Sequence, residues 1–407
     1  MTSNDFLRWS PSLAKTEFGG NAGIAAVAAM IGVLFAGSTV ITPLYIMYKQ
    51  KFGFSQISLT LIYAIYVIGN LAALLLFGRL SDRVGRRPVA AVAIGLAIAS
   101  AIVFVFANDI AFLYLGRVLG GLAIGIGAGT GTAWLAELIP GKDKSRATVV
   151  ATGANFAGLG AGALVGGLLA EYTAWPLQLP FLIYLLTLII TAALVWTAPD
   201  TVSHSSKLRD LSFRPRVSVP PEIRAQFVAP AVTGFGTMAL VGFYAALAPT
   251  LLANELQISN HAVAGAVFLE LAIFVAGTIV ATESLGSRTA MLLALGLMLP
   301  SVALLVAAQW NASLTLLIIA TGVCGIATGL GYRGSLQVAN QIAPEDRRAE
   351  IVSSYFICGF AGNALPVIGI GVISTFAGAT AASLSFAATI AVFAVVALYF
   401  GTRYLRN

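Results

Sequence analysis

Apolar residues run along this chain in blocks of about twenty, broken by short polar or glycine-bearing turns. A bilayer core about 30 Å thick is crossed by about 20 residues of helix. That ruler lays twelve spans on the sequence, at about 24–47, 57–78, 88–107, 111–136, 147–170, 177–198, 227–252, 262–282, 289–308, 314–340, 351–375 and 380–401. The first span follows a polar, charged leader, MTSNDFLRWSPSLAKTEFGGN. It is too long for the core of a signal peptide and has no small-residue cleavage site after it, so a retained helix is expected. An even number of spans puts both termini on one side. The expected fold is an all-α polytopic membrane protein of two six-helix bundles.

Composition agrees with a membrane protein. Of 407 residues, 58% are hydrophobic and only 10% are charged, and the mean hydropathy is +0.91, which is too apolar for a water-soluble chain of this size. Cys324 and Cys358 both sit in apolar stretches, and His204 and His261 are far apart. No disulfide framework, metal site or cofactor is therefore expected. A net charge of +7 would suit nucleic acid on a soluble basic face, but the charges sit at membrane edges. If the termini are cytoplasmic, Lys and Arg should collect on that side. Arg8, Lys15, Arg79, Arg83, Arg86, Arg87, Lys142, Lys144, Arg146, Lys207, Arg209, Arg214, Arg216, Arg224, Arg288, Arg347, Arg348, Arg403 and Arg406 do so. Lys49 and Lys51 fall outside, and Arg117 and Arg333 lie within spans. The expected location is a cytoplasmic (inner) membrane with both termini inside. The polar, basic connection APDTVSHSSKLRDLSFRPRVSVPPEIRAQ divides the chain into halves 1–198 and 227–407, joined by a linker 199–226.

The halves resemble each other. GRRPVAAVAIG after the second span is echoed by GSRTAMLLALG after the eighth, and Gly121, Gly125 and Gly127 by Gly325, Gly329 and Gly331. ELIPGKDKSRA precedes the fifth span as NQIAPEDRRAE precedes the eleventh. Such parallel repeats place a substrate site near the midplane between the halves and permit alternating access. The glycine runs GGLAIGIGAGTG and GALVGG lack the Lys-Ser or Lys-Thr of a phosphate loop and are read as close helix packing.

The turn GRLSDRVGRRPV resembles the signature loop of the major facilitator superfamily, GxLxDRxGRR, through Gly78, Leu80, Asp82, Arg83, Gly85, Arg86 and Arg87. The likeness extends over nearly the whole chain: twelve spans, a central linker, a degenerate counterpart after the eighth span and an arginine early in the fourth. It implies a secondary transporter. It also implies that the loop's Asp and Arg act as a gate, bonding the start of the eleventh helix while the cytoplasmic side is shut. GLGAGALVGG in the fifth span is similar to an antiporter signature through Gly158, Gly162, Gly166 and Gly167, with Ala163 where the family has proline.

Ionisable residues inside a span are costly and mark pathways. Glu270 lies about 13 Å below the outer end of the eighth span, near midplane. It is read as a proton or substrate group, or as a carboxylate bonded to a neighbouring helix. Arg117 either holds an anion, pairs with Glu270 or braces the bundle, and the family resemblance implies a part in proton transfer. Arg333 lies closer to the cytoplasmic edge, where it either lines the pathway or snorkels to water. In the second span Gln56, Thr60, Tyr63, Tyr66 and Asn70 share about a third of the helix surface, as a cavity wall or a zipper against another helix. Asn155, Phe243, Tyr244, Tyr355 and Asn363 are further cavity candidates.

These features point to a monomeric carrier of a small organic solute, with proton-coupled efflux as the leading reading and symport or uniport as the alternative. A nucleophile with its base, paired carboxylates or a metal set would mark an enzyme, and Glu270 has no such companions. No soluble segment is long enough for a nucleotide-binding domain or a receptor extension.

Overall fold

In the computed structural model, residues 16–78, 80–139, 145–202 and 217–405 are described. Ten long helices come first: α1 Thr16–Thr39, α2 Gln56–Phe77, α3 Arg86–Val105, α4 Ile110–Leu138, α5 Ser145–Tyr172, α6 Leu179–Thr197, α7 Arg224–Ala246, α8 His261–Ala281, α9 Ser287–Trp310 and α10 Leu314–Gln341. A continuous stretch Arg348–Arg403 follows, and its backbone breaks helical geometry at Gly378 (φ 88°, ψ 168°). Only glycine adopts that conformation readily, so the stretch is two helices, α11 (348–377) and α12 (379–403). The described residues thus hold twelve long helices, as the hydrophobic blocks predict. Eleven segments are long and apolar enough to cross a membrane, the last of them being the fused pair. The predicted first and seventh spans are each broken near one end, into the short helices Tyr45–Phe52 and Ala248–Asn254. Thr42-Pro43-Leu44 and Ala248-Pro249-Thr250 stand at these breaks, where proline lacks a donor for a continuous helix. The charged residues at 8, 15, 79, 142, 144, 207, 209, 214, 216 and 406 lie outside the described residues.

The contacts repeat in the two halves. α4 packs against α1, α2 and α3, and α10 against α7, α8 and α9. The capping pattern repeats too. Ser55 and Asp109 accept hydrogen bonds from the first-turn amides of α2 and α4, and Asn260 and Ser313 do the same for α8 and α10, satisfying donors the helix leaves open. All four caps stand at the end of the bundle opposite the 78–87 turn, which is called the basic end below. On α5, Gly158, Gly162 and Gly166 face Gly32 and Ala36 of α1 and Val40 just past its end, where a Cβ would strike the backbone. Four-residue spacing puts all three on one stripe, and the missing side chains set the close approach.

The halves meet along two seams, α5 with α8 and α2 with α11. Gly265 of α8 rests on the Ala163 carbonyl and Gly167 of α5 on the His261 backbone. Glu171 accepts from both the backbone N–H and the Nδ1 of His261 at 2.9 Å. Across the other seam Thr60 abuts Gly371, and Tyr63 donates to Asn363 Oδ1 at 2.7 Å. These contacts lie from mid-depth to the end opposite the basic one.

Candidate substrate cavity

Between the halves lies a cavity of about 560 Å³, within the range of small-molecule sites. Its floor at mid-depth includes Thr39, Leu159, Ala245 and Asn363, and its wall continues to Thr132, Ala136 and Thr148. Those last three are exposed residues close to the ends of α4 and α5, so the mouth lies at the basic end. Both halves contribute: α1, α2, α4 and α5 from one, α7, α8, α10 and α11 from the other.

The predicted residues divide cleanly. Tyr63, Tyr66, Asn70, Asn155, Tyr355 and Asn363 line the cavity. The polar stripe of α2 does both things expected of it. Thr60 is buried against α11, Gln56 accepts a hydrogen bond from Lys49 at 2.9 Å, and the inner three residues face the cavity. Phe243 and Tyr244 are off the wall, because they point into the core of the second half. Phe243 stacks on Phe386 at 5.1 Å between centroids, and Tyr244 accepts from Thr321 at 3.1 Å.

Arg333 is off the wall as well. Its guanidinium donates to the Glu283 and Leu285 carbonyls at 2.7 and 2.8 Å, in the turn that follows α8. Glu270 is half-buried and absent from the cavity lining. Its neighbours at helical spacing, Ala266, Ile273 and Phe274, are exposed, so it sits towards the outer side of α8 while Phe268 turns inward.

Arg117 is buried and stands behind the wall. It donates to the Ser38 carbonyl at 2.8 Å and to the Tyr45 hydroxyl. The rings of Tyr45, Tyr63 and Tyr66 surround it, with centroids 5.3, 5.9 and 5.1 Å away. Cation–π attraction of this kind is worth about 2 kcal/mol when desolvated. The pairing of Arg117 with Glu270 that the sequence allows is not made; the arginine packs behind Tyr63 and Tyr66, two of the cavity tyrosines.

The signature turn is built around one buried arginine. Arg86 bonds Ser81 Oγ at 2.6 Å and Asp82 at 2.5 Å, and holds both oxygens of Glu137, at the end of α4, at 3.1 and 2.5 Å. Gly85 has φ 114°, and a Cβ there would come within 2.9 Å of the Asp200 carboxylate. That carboxylate accepts from the Arg86 and Arg87 amides at 3.1 and 3.2 Å and so caps α3. Arg87 reaches the Ala198 carbonyl at the end of α6. Gly78 keeps ordinary helical geometry (φ −56°), so only Gly85 of the two glycines is needed for backbone conformation. Asp82 and Arg83 are exposed. In this conformation the partner of Asp82 is Arg86, not the start of α11.

Sequence reasoning missed Glu137 and Asp200, the acids that receive the turn, and the rings Phe35, Phe156, Tyr332 and Phe360 on the wall. Phe356, Phe360 and Asn363 recur at helical spacing with Tyr355 and would have extended its face. The Glu171–His261 bridge joins residues 90 apart and left no local signal.

The major facilitator superfamily model matches residues 27–365. The chain belongs to this superfamily. Major facilitator proteins similar to it in sequence include an MFS-type transporter of Penicillium rubens, 26% identical over 44% of this chain and 33% of that protein. The arabinose–proton symporter of Bacillus subtilis is 31% identical over 29% of this chain and 25% of its own length. The class H tetracycline resistance protein of Pasteurella multocida is 30% identical over 26% of each. The matched part therefore spans about a third or less of these relatives. A solved facilitator structure covers far more. A bacterial homologue of the human lysosomal transporter Spinster, in an inward-facing, unoccupied conformation, superposes with a TM-score of 0.75 over 95% of this chain and 96% of that one, at 17% identity. The shared architecture is the twelve-helix facilitator fold.

Proposed function

We propose that this chain is a secondary active transporter that exports a small organic solute across a cytoplasmic membrane in exchange for protons, by alternating access. The observation that carries the reading is the cavity between the halves. It is open at the basic end and shut at the other by the Glu171–His261 and Tyr63–Asn363 contacts. With the basic end cytoplasmic, as the distribution of Lys and Arg favours, the cavity faces the cytoplasm and loads there. Rocking of the halves about the two seams would carry the solute across. A tetracycline resistance protein among the relatives supports export, and an arabinose–proton symporter supports proton coupling.

Proton exchange is assigned to Glu270. It is an acid within α8 that makes no ion pair among the described residues. Because it stands off the cavity wall, it would act through the packing of α8 rather than by competing with solute for a shared contact. Arg117 holds the cavity tyrosines Tyr63 and Tyr66 in place. The turn around Asp82, Arg83, Arg86 and Arg87 gates the basic end.

The test uses proteoliposomes with a pH-sensitive dye inside, a panel of solutes that includes tetracycline and arabinose, and protein with Glu270→Gln beside the wild type. Solute-evoked proton movement in opposite directions is expected for the wild type, with loss of uphill transport in the variant. Solute movement without protons would refute coupling. Protons and solute moving together would replace export by symport.

A further inference from the structure

We infer that the cavity selects an uncharged aromatic compound bearing an N–H or O–H donor, and discriminates against organic anions and cations. This names the substrate class of the transport reading above and rests on it. The first observation is the absence of charge. None of the described residues lining the cavity is Asp, Glu, Lys, Arg or His. The three ionisable groups within spans that the sequence offered are all engaged or directed elsewhere. Arg117 is enclosed by tyrosine rings and hydrogen-bonded behind the wall, Arg333 bonds the turn after α8, and Glu270 is off the lining. A charged solute leaving water for this site would touch no countercharge on its wall, and a charge without a contacting partner is the group a low-dielectric site tolerates least.

The second observation is the chemistry of the wall. Phe35, Phe156, Phe268, Phe356 and Phe360 come from α1, α5, α8 and α11, so ring faces and edges reach the cavity from both halves and suit an aromatic guest. The third is the inventory of polar atoms. Tyr63 donates to Asn363 Oδ1, Tyr355 is bonded to Ser335 at 2.8 Å, and the Ser38 and Thr39 hydroxyls donate to the Phe35 and Leu159 carbonyls, both at 2.7 Å. Asn155 Oδ1 is buried without a partner. A buried acceptor left unpaired is unfavourable, and a donor on the solute would satisfy it.

The experiment measures equilibrium binding to the full chain in phosphatidylcholine nanodiscs, with empty discs as background and no ion gradient. The probes are tritiated N-phenyl-1-naphthylamine, which is neutral and carries one N–H; 8-anilino-1-naphthalenesulfonate, the same scaffold with a sulfonate; and the cation tetraphenylphosphonium. The neutral dye is expected to bind at least about 10-fold more tightly than either ion. Asn155→Leu should weaken it about 3- to 10-fold, and Ala133→Phe, which narrows the cavity beside its mouth, should weaken it as well. Equal or tighter binding of either ion overturns the inference. So does neutral-dye binding that neither Asn155→Leu nor Ala133→Phe weakens, or no binding of that dye to the wild type. The wild-type comparison stands even if a variant fails to fold. Neutral-dye selectivity without solute flux in proteoliposomes would break the transport reading alone, whereas flux together with tighter binding of an ion would break only this one.

Discussion

The turn between α2 and α3 and its counterpart between α8 and α9 occupy equivalent places in the two halves, yet they are held by different chemistry. Part of the design is shared. Arg87 reaches the Ala198 carbonyl at the end of α6, and Arg288 points its guanidinium at the Gly401 and Thr402 carbonyls at the end of α12. Each ties the turn to the last helix of its half, where a cation meets a helix C-terminus. The rest diverges. Where the first half has Arg86 clamped to Glu137, the second has Ser287, whose hydroxyl donates to Gln341 at 2.7 Å. Where Gly85 has φ 114°, Gly286 has φ −57°. An arginine clamped between two acids and a glycine at positive φ are features of the first half's turn, which mark that turn as specialised.

Removing the clamp should produce the largest difference between the two turns. Arg86→Ser leaves Glu137 and Asp82 facing each other without their cation. It is expected to destabilise the protein by roughly 2–4 kcal/mol in detergent, below the fully buried limit because the two acids are 38% and 52% exposed. Thermal unfolding followed by size-exclusion chromatography reads this. Adding Glu137→Gln makes the first turn resemble the second and should recover at least half of the loss, since replacing both members of a pair is far milder than orphaning one. A double variant as unstable as the single would mean that the arginine acts by packing alone.

The glycines come next. Gly85→Ala places a Cβ in a left-handed backbone and against the Asp200 carboxylate, and should cost about 1–3 kcal/mol. Gly286→Ala, whose Cβ would have nothing nearer than 3.8 Å, should change stability by less than about 0.5 kcal/mol. Equal effects in the same unfolding assay would remove the glycine from the comparison.

The same contrast shows what could be read from the chain and what could not. Twelve helices follow from block length, because a bilayer imposes one length on every span. The cavity face of α2 was legible because Tyr63, Tyr66 and Asn70 repeat at helical spacing on one helix. Arg117 and Glu270 were legible as exceptions but not as a pair or its absence, since a lone charge says nothing about what lies across a helix interface. Glu137 and Asp200 stood in the sequence as ordinary helix-end acids. Only the fold brings them to residues 51 and 114 positions away. The charge-free cavity is illegible for the same reason: it depends on which way three ionisable side chains turn.

Asp82 gives the smallest change in stability and the sharpest question. Its carboxylate is about half exposed and bonds Arg86 four residues on, so Asp82→Asn should shift stability by no more than about 1 kcal/mol. Were the turn only an anchor, transport would be equally unmoved. The gate reading says otherwise, because the carboxylate would bond the start of α11 only when the basic end is shut. Losing a charge-assisted hydrogen bond worth about 1.5–3 kcal/mol from that state alone moves the two-state equilibrium about 10-fold or more towards the open one. Asp82→Asn should then depress turnover in proteoliposomes. It should also increase labelling of a cysteine placed at Ala136, in the cavity mouth, by a membrane-impermeant maleimide. Normal turnover with unchanged labelling would assign the aspartate to the anchor, leaving Arg86 and Glu137 as a fastening without a latch.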